Sequence, residues 1–314
     1  MSEIVQKLLS GQRLALSRLI TLVENGSDKI PQYMSEIHAS LGHAYYLGVT
    51  GPPGAGKSTL VNRLIAQARS QNLKVGVVAI DPSSPFSGGA LLGDRIRMQD
   101  HAGDTSVFIR SLATRGAHGG LSRSTRDVVR LMDAFGMDWV IIETVGVGQT
   151  ELDIMELAHS TLVVLTPESG DTIQTMKAGL LEVADIFVVN KSDREGADKI
   201  VHELRAMIEM SPSKKKWKVP VLKTQAFQNQ GITELVEVLK EHRATWDKLV
   251  SPESQRRLRQ AELEEILQDR FLQYFKEALN HQSNLASLIE PVLLGKISAY
   301  EGAEQVFQEI MKSR

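Results

Sequence analysis

Apolar residues repeat along the chain in two different ways. From Ile4 to Val23 they return every three or four positions, at Ile4, Val5, Leu8 and Leu9 and then at Leu16, Leu19, Ile20 and Val23, which is one face of a helix. Asn25-Gly26-Ser27 breaks the run, and a second short helix is predicted after Pro31. Beyond residue 44 the period changes. Short apolar runs recur as "YYLGVT" at 45–50, "VGVVAI" at 75–80, "SVFIR" at 106–110, "DWVIIE" at 138–143, "TLVVLT" at 161–166, "IFVVN" at 186–190 and "VPVL" at 219–222, mostly β-branched and separated by helix-length segments. Strands that are apolar throughout need cover on both faces, so the pattern predicts an α/β domain over 45–245 with a mainly parallel, doubly wound sheet. After Trp246 the strand pattern stops. Leu263, Ile266, Leu267, Phe271, Tyr274, Phe275 and Leu279 predict a long amphipathic helix. Residues 280–284 interrupt it, and one or two further helices run from Leu288 to Met311. The expected organisation is a helical extension at 1–44, the α/β domain at 45–245 and a helical arm at 246–314.

Composition narrows the function classes. The 314 residues carry a net charge of −2, which gives no general affinity for nucleic acid or anionic membrane. The run Lys214-Lys215-Lys216 in "SPSKKKWKVP" reads as a solvated loop rather than a phosphate track. There is no cysteine, which removes disulfides and thiolate metal sites. No basic segment with an apolar core opens the chain, and no run of about 18 apolar residues occurs. A cytoplasmic protein is expected.

The chemistry starts at Gly51-Pro52-Pro53-Gly54-Ala55-Gly56-Lys57-Ser58-Thr59, which fits the phosphate-loop pattern G-x-x-x-x-G-K-[ST]. It follows an apolar strand and precedes a helical "LVNRLIAQA", the context the pattern requires. Glycines let the backbone turn its N–H groups inward beside a helix N-terminus to hold phosphate oxygens. Lys57 is expected to reach the β- and γ-phosphates and Ser58 to offer a hydroxyl to Mg²⁺. Carboxylates near strand ends would complete that metal site: Asp81 after 75–80, Asp94 after "FSGGALLG" and Glu143 at the end of 138–143. A helix cap or a solvated loop residue is the plainer alternative for each. Gly146 in "TVGVG" suits a backbone N–H facing the γ-phosphate. The residue after it, Val147, cannot hydrogen-bond water; Gln149 two positions further, Asp81 or the 167–179 segment is left to complete the site against the γ-phosphate, so hydrolysis by the protein alone is expected to be slow until a partner orders it.

The base is read from Asn190-Lys191-Ser192-Asp193, of form N-K-x-D at a strand end. Asp193 can accept from the ring N–H and the exocyclic amine of guanine. Adenine lacks that donor pair and would leave a carboxylate unmatched, at a cost of roughly 1–3 kcal/mol per group. Lys191 can lay its stem along the base, and Asn190 can tie the loop together. GTP and GDP are therefore the expected ligands. In "TQAFQNQG" a backbone N–H of Gln225, Ala226 or Phe227 is the candidate partner of the guanine carbonyl.

These motifs, with "AIDPSSPFSGGALLGDRIRM", "FIRSLATRGAHGGLS" and "ETVGVGQTE", resemble the MeaB/ArgK-type GTPases, the G-protein chaperones of adenosylcobalamin-dependent acyl-CoA mutases such as methylmalonyl-CoA mutase. "GQRLALSRLITLVENG" is similar to the family's N-terminal helical segment, and the C-terminal helices resemble its dimerisation arm. The resemblance implies a P-loop GTPase core, a homodimer, and a job of gating cofactor delivery to a mutase and protecting or reactivating that enzyme. It also implies that Ser58, Asp81, Asp94 and Glu143 surround Mg²⁺, and that "PESGDTIQTMKAG" at 167–179 is an extra switch with Lys177 as a contact. Many related chains read Thr-Ser-Ala or Ser-Ala-Arg where this one has Thr224-Gln225-Ala226-Phe227; a backbone contact survives that departure. Two alternatives stay open. One is a small-molecule kinase of the arginine and ornithine transport type, for which no acceptor motif is visible. The other is a nickel or zinc metallochaperone GTPase, which would want cysteine or clustered histidine, whereas His101, His118 and His159 are isolated.

Overall fold

The computed structural model describes residues 1–81, 99–101, 103–113, 123–144, 157–169, 184–210, 217–249, 252–281 and 283–312. The chain divides into two compact units, Met1–Leu249 and Val250–Arg314.

In the first unit the apolar runs form seven parallel strands: β1 (Tyr45–Thr50), β2 (Val75–Asp81), β3 (Val107–Ala113), β4 (Trp139–Thr144), β5 (Ser160–Leu165), β6 (Ile186–Val189) and β7 (Val221–Lys223). Their order across the sheet is β3-β2-β4-β1-β5-β6-β7, so β4 inserts between β1 and β2. Before the sheet come α1 (Glu3–Leu9), α2 (Arg13–Glu24) and α3 (Ile30–Ile37). Between and after the strands come α4 (Lys57–Ser70), α5 (Arg123–Ala134), α6 (Ala197–Met210) and α7 (Ile232–Leu249). The expected doubly wound, parallel α/β fold is what the chain forms.

Alternate residues of each strand serve opposite cores, because successive side chains leave a strand on opposite faces. Leu47, Val77, Ile141, Leu162 and Val188 face the core shared with α4 and α7. Val78, Val140 and Ile142 face α5 and the N-terminal helices, whose Val5, Leu8, Leu16, Leu19 and Ile20 enter the same core. Val163, Leu165, Phe187 and Val189 face α6. Residues 1–44 thus serve as part of a covering layer. The single helical run expected from Ile4 to Val23 is in fact two helices. Gly11 stands at φ +80°, where a side chain is strained, and the N–H groups of Gly11 and Gln12 close α1 on Leu8 and Lys7. The apolar spacing hid the break because Leu9 and Leu16 lie two helical turns apart.

The junction into the sheet is held by Asp133 at the end of α5. Its buried carboxylate accepts the N–H groups of Gly42 (2.7 Å), His43 (3.2 Å) and Ala44 (2.9 Å) and the Tyr46 hydroxyl (2.6 Å).

The second unit consists of α8 (Pro252–His281), α9 (Ser283–Leu293) and α10 (Ala299–Lys312). Leu285 and Ile310 are its buried centre, and Phe275 stacks on Phe307 at 6.0 Å between ring centroids. Gly302 allows α10 to meet α9, since a Cβ there would lie 2.2 Å from the Val292 side chain. Leu263, Leu267 and Phe271 on α8 are 57%, 44% and 56% exposed, so three members of the predicted stripe are uncovered in the single chain while Phe275 packs inside its own unit.

Candidate nucleotide-binding site

In a parallel sheet all strands end on one edge, and ligands bind beyond those carboxyl ends. Here β1 ends at Thr50, β4 at Thr144, β5 at Leu165, β6 at Val189 and β7 at Lys223. The loop after β1, the last residues of β4 and the loop after β6 enclose a cavity of about 310 Å³ lined by Gly54, Gly56, Lys57, Ser58, Thr59, Glu143 and Lys191.

The phosphate loop is shaped by backbone that only glycine takes without strain. Gly51 has φ +137°, and a Cβ there would sit 2.0 Å from the Val164 carbonyl oxygen. Gly56 has φ +89° and lies so close to the Asn190 side-chain amide that a Cβ would come within 2.4 Å of it. Both glycines are therefore required by close approach as well as by φ. Gly56 is also the residue from which α4 begins, so the N-terminal N–H groups of that helix face the cavity. Lys57 is the first residue of α4 and is 7% exposed. Its Nζ donates to the carbonyls of Gly51 (2.8 Å) and Pro52 (3.1 Å), folding the ammonium across the mouth of the loop.

Ser58 and Glu143 meet across the cavity floor. The Ser58 hydroxyl donates to Glu143 Oε1 at 2.7 Å, and the two residues are 6% and 4% exposed. Glu143 is paired in register with Val49 of β1 and Ala79 of β2, in the interior of the sheet. A hydroxyl and a carboxylate are hard oxygen donors of the kind Mg²⁺ takes beside substrate phosphates, and their side-by-side placement on the phosphate loop and a strand end fits that ion. Asp81 closes β2 on the same edge of the sheet; its side chain is outside the described residues. Asp94, Gly146, Gln149, Lys177 and His118 lie outside the described residues altogether.

The base motif is joined to the phosphate loop by side chains. Asn190, 2% exposed, donates from Nδ2 to the Ala55 carbonyl (2.9 Å). Its Oδ1 accepts from Thr224 Oγ1 (3.1 Å) and from the Ala226 N–H (3.1 Å). Lys191 takes φ +55° and its Nζ donates to the Gly54 carbonyl at 2.8 Å. Asp193 is exposed at the tip of the same loop. The Gln225 N–H donates within its own loop to the Gln230 carbonyl and the Ala226 N–H across to Asn190 Oδ1, while Phe227 is 86% exposed.

Two braces of this region are absent from the sequence reading. Arg194, next to Asp193, pairs with Glu168 in the turn after β5 and holds its carboxyl down to about 2. Arg63 on α4 donates to the carbonyls of Ala226 and Phe227. Neither has a local signature, because each partner comes from a distant segment. The isolated histidines at hand have packing roles: His159 stacks on Tyr46 at 4.7 Å, and His101 contacts the Asn62 carbonyl.

A family model described as Methylmalonyl Co-A mutase-associated GTPase MeaB matches residues 16–280. The chain belongs to this family. A Pyrococcus abyssi protein is 45% identical over 312 residues, 98% of this chain and 96% of its own. GTPase ArgK of Escherichia coli is 36% identical over 243 residues, 75% of this chain and 73% of its own. Among solved structures, that of an LAO/AO transport system kinase superposes with a TM-score of 0.69 at 27% identity, covering 98% of this chain and 97% of that one. The expected resemblance to MeaB/ArgK-type proteins is thereby confirmed, and the α/β architecture is that of a P-loop GTPase.

Proposed function

We propose that this GTPase binds GTP and GDP, hydrolyses GTP with Mg²⁺, and serves as a regulatory chaperone of an adenosylcobalamin-dependent acyl-CoA mutase, with methylmalonyl-CoA mutase as the client. The guanine reading rests most on one observation: Asn190 and Lys191 are bonded to Ala55 and Gly54, so the N-K-x-D loop and the phosphate loop are one connected rim around one cavity. The client reading rests on the family match.

In this reading Lys57 leaves the Gly51 and Pro52 carbonyls and takes phosphate oxygens, a charge already positioned at the loop. Ser58 and Glu143, with Asp81 and Asp94, would hold Mg²⁺, which would supply positive charge beside the phosphate oxygens. Asp193 accepts from guanine, and an N–H of the 225–227 segment meets its carbonyl. With Val147 beside Gly146, hydrolysis by the protein alone is slow, and the partner completes the site by ordering Gln149, Lys177 or Asp81. Nucleotide state then times the interaction with the mutase. Leu263, Leu267 and Phe271 form the homodimer contact, since an exposed apolar stripe on a long helix needs cover.

Single-turnover GTP hydrolysis, with and without adenosylcobalamin-dependent mutases from the same source, tests this. The reading expects acceleration by the client mutase and loss of the acceleration in Gln149→Ala. Fast hydrolysis that no mutase alters would remove the timing role. The solved structure named for a transport system kinase favours a second reading, transfer of the terminal phosphoryl to a small-molecule acceptor. The same assay with labelled GTP and candidate amino acids separates the two, since label appears in inorganic phosphate in one case and in the acceptor in the other.

A further inference from the structure

We infer that Arg63, on the helix that follows the phosphate loop, is a positioning residue for recognition of the 6-oxo edge of guanine; the inference rests on the guanine reading above. The base-side segment is a single short 3₁₀ turn at Ala226–Gln228. A helical turn points its N–H groups toward its start and its carbonyls toward its end. At the carbonyl end, Arg63 Nε donates to the Ala226 oxygen and its terminal nitrogen to the Phe227 oxygen, both at 2.9 Å. At the N–H end, the Ala226 N–H points to Asn190 Oδ1 at 3.1 Å. The turn is therefore held from both sides: the Ala226 N–H is on Asn190 of the N-K-x-D loop, and the Ala226 and Phe227 carbonyls are on the guanidinium, the Ala226 oxygen also accepting the Asn229 N–H.

Peptide planarity makes this clamp directional. The carbonyl of Ala226 and the N–H of Phe227 belong to one trans plane and point opposite ways. Holding the first toward Arg63 aims the second away from it. The fork of a guanidinium holds two successive carbonyls in fixed relative orientation, which a lysine ammonium cannot do. Arg63 lies two turns into α4, whose first residues are Lys57 and Ser58, so one rigid helix carries both the phosphate contacts and the clamp on the base segment. Without Arg63, the Ala226 and Phe227 carbonyls lose their side-chain clamp, and the Phe227 N–H loses its aim while the phosphate loop and Asp193 stay in place.

The experiment measures the affinities of GTP, inosine triphosphate and 2-aminopurine riboside triphosphate for the full chain, Arg63→Ala and Arg63→Lys. The first two nucleotides carry the 6-oxo group and the third lacks it. Arg63→Ala is expected to weaken GTP and inosine triphosphate equally, by about tenfold, and to leave 2-aminopurine riboside triphosphate within about twofold of the parent. Arg63→Lys, which can hold one carbonyl, is expected to fall between parent and Ala variant for the two 6-oxo nucleotides. Equal weakening of all three nucleotides would make Arg63 a merely structural part of α4 and overturn the assignment, as would unchanged GTP affinity in both variants. A parent that binds GTP no better than ATP would overturn the guanine reading itself, and this inference with it; a parent that prefers guanine beside variants that keep the full 6-oxo preference would overturn the Arg63 assignment alone.

Discussion

The two ends of the sheet both bury polar side chains, and they use them in opposite ways. At the carboxyl ends of the strands, Lys57, Ser58 and Glu143 line a cavity, and the contacts they make are ones that a ligand can take over: the Lys57 ammonium on two loop carbonyls, the Ser58 hydroxyl on a carboxylate. At the amino ends, Tyr45 donates to Ser160, Ser160 meets Nδ1 of His242, and His242 Nε2 lies 3.8 Å from Asp185. Asp185 in turn accepts the Thr161 N–H, and Trp217 donates to the Asp185 carbonyl. Residue types alone would make the second group the more reactive one, since serine, histidine and aspartate form the constellation of many hydrolases. But Ser160 has no exposed surface, and Tyr45 and His242 are 1% and 2% exposed, so no substrate reaches the hydroxyl. Burial also pushes the Tyr45 hydroxyl well above its ordinary range, which keeps it a neutral donor. What marks a site is an opening beside groups whose present partners are replaceable.

Variants at the two ends should therefore fail differently. Lys57→Ala should have the largest effect: under the proposed phosphate role GTP affinity should fall by at least about a hundredfold, with a smaller change in unfolding midpoint from loss of its contacts to the Gly51 and Pro52 carbonyls. Calorimetry showing micromolar binding in that variant would break the contrast. Gly51→Ala should damage both properties. It places a Cβ against the Val164 carbonyl at positive φ, and about 3 kcal/mol or more of stability should be lost in urea unfolding. A fully stable variant would show that the loop can open without cost. Tyr45→Phe should do the reverse of Lys57→Ala. It removes a buried donor to Ser160, so stability should drop by about 1–2 kcal/mol while GTP affinity stays unchanged. A matching loss of affinity would mean that the closed end communicates with the open one.

The smallest effect concerns the Glu168–Arg194 pair. The folded-state carboxyl lies near 2, below the ordinary 4.5, so the pair's stabilisation is present above about 4.5 and is lost as pH falls from there toward 2. Both groups are about half exposed, at 50% and 54%, and solvent screening keeps the contribution small. The stability difference between the parent and Glu168→Gln should be detectable at pH 7 and should shrink as pH is lowered toward 3. A difference that grows on acidification would have the wrong sign for this account.

How much of this was legible in the chain depended on how local each feature is. The strand "YYLGVT" is Tyr45–Thr50 without adjustment, because a strand buried on both faces is apolar at nearly every position. The phosphate loop and N-K-x-D were equally legible, since each packs its chemistry into a few consecutive residues. The apolar run ends at Arg110 whereas β3 continues to Ala113, because polar Arg110 and Ser111 lie on a strand at the edge of the sheet, where polar side chains are tolerated. The Gly11 break was masked by apolar spacing that stays in phase across it. Arg63 on Ala226, Arg194 on Glu168 and Asp133 on the 42–44 backbone join segments far apart in sequence. No period or motif announces such pairs, and they brace the site that the motifs build.

The central claim is that the rim formed by Asn190, Lys191 and Asp193 over the phosphate loop reads guanine. Its most direct test is calorimetric binding of GTP, ATP and xanthosine triphosphate to the parent and to Asp193→Asn. Guanine offers two donors to the Asp193 carboxylate, whereas xanthine replaces the exocyclic amine by a carbonyl that an asparagine amide can serve. The account predicts that the parent binds GTP at least about a hundredfold more tightly than ATP or xanthosine triphosphate, and that Asp193→Asn reverses the preference between GTP and xanthosine triphosphate. A parent with equal affinity for GTP and ATP, or a variant that keeps its preference for GTP over xanthosine triphosphate, would contradict it.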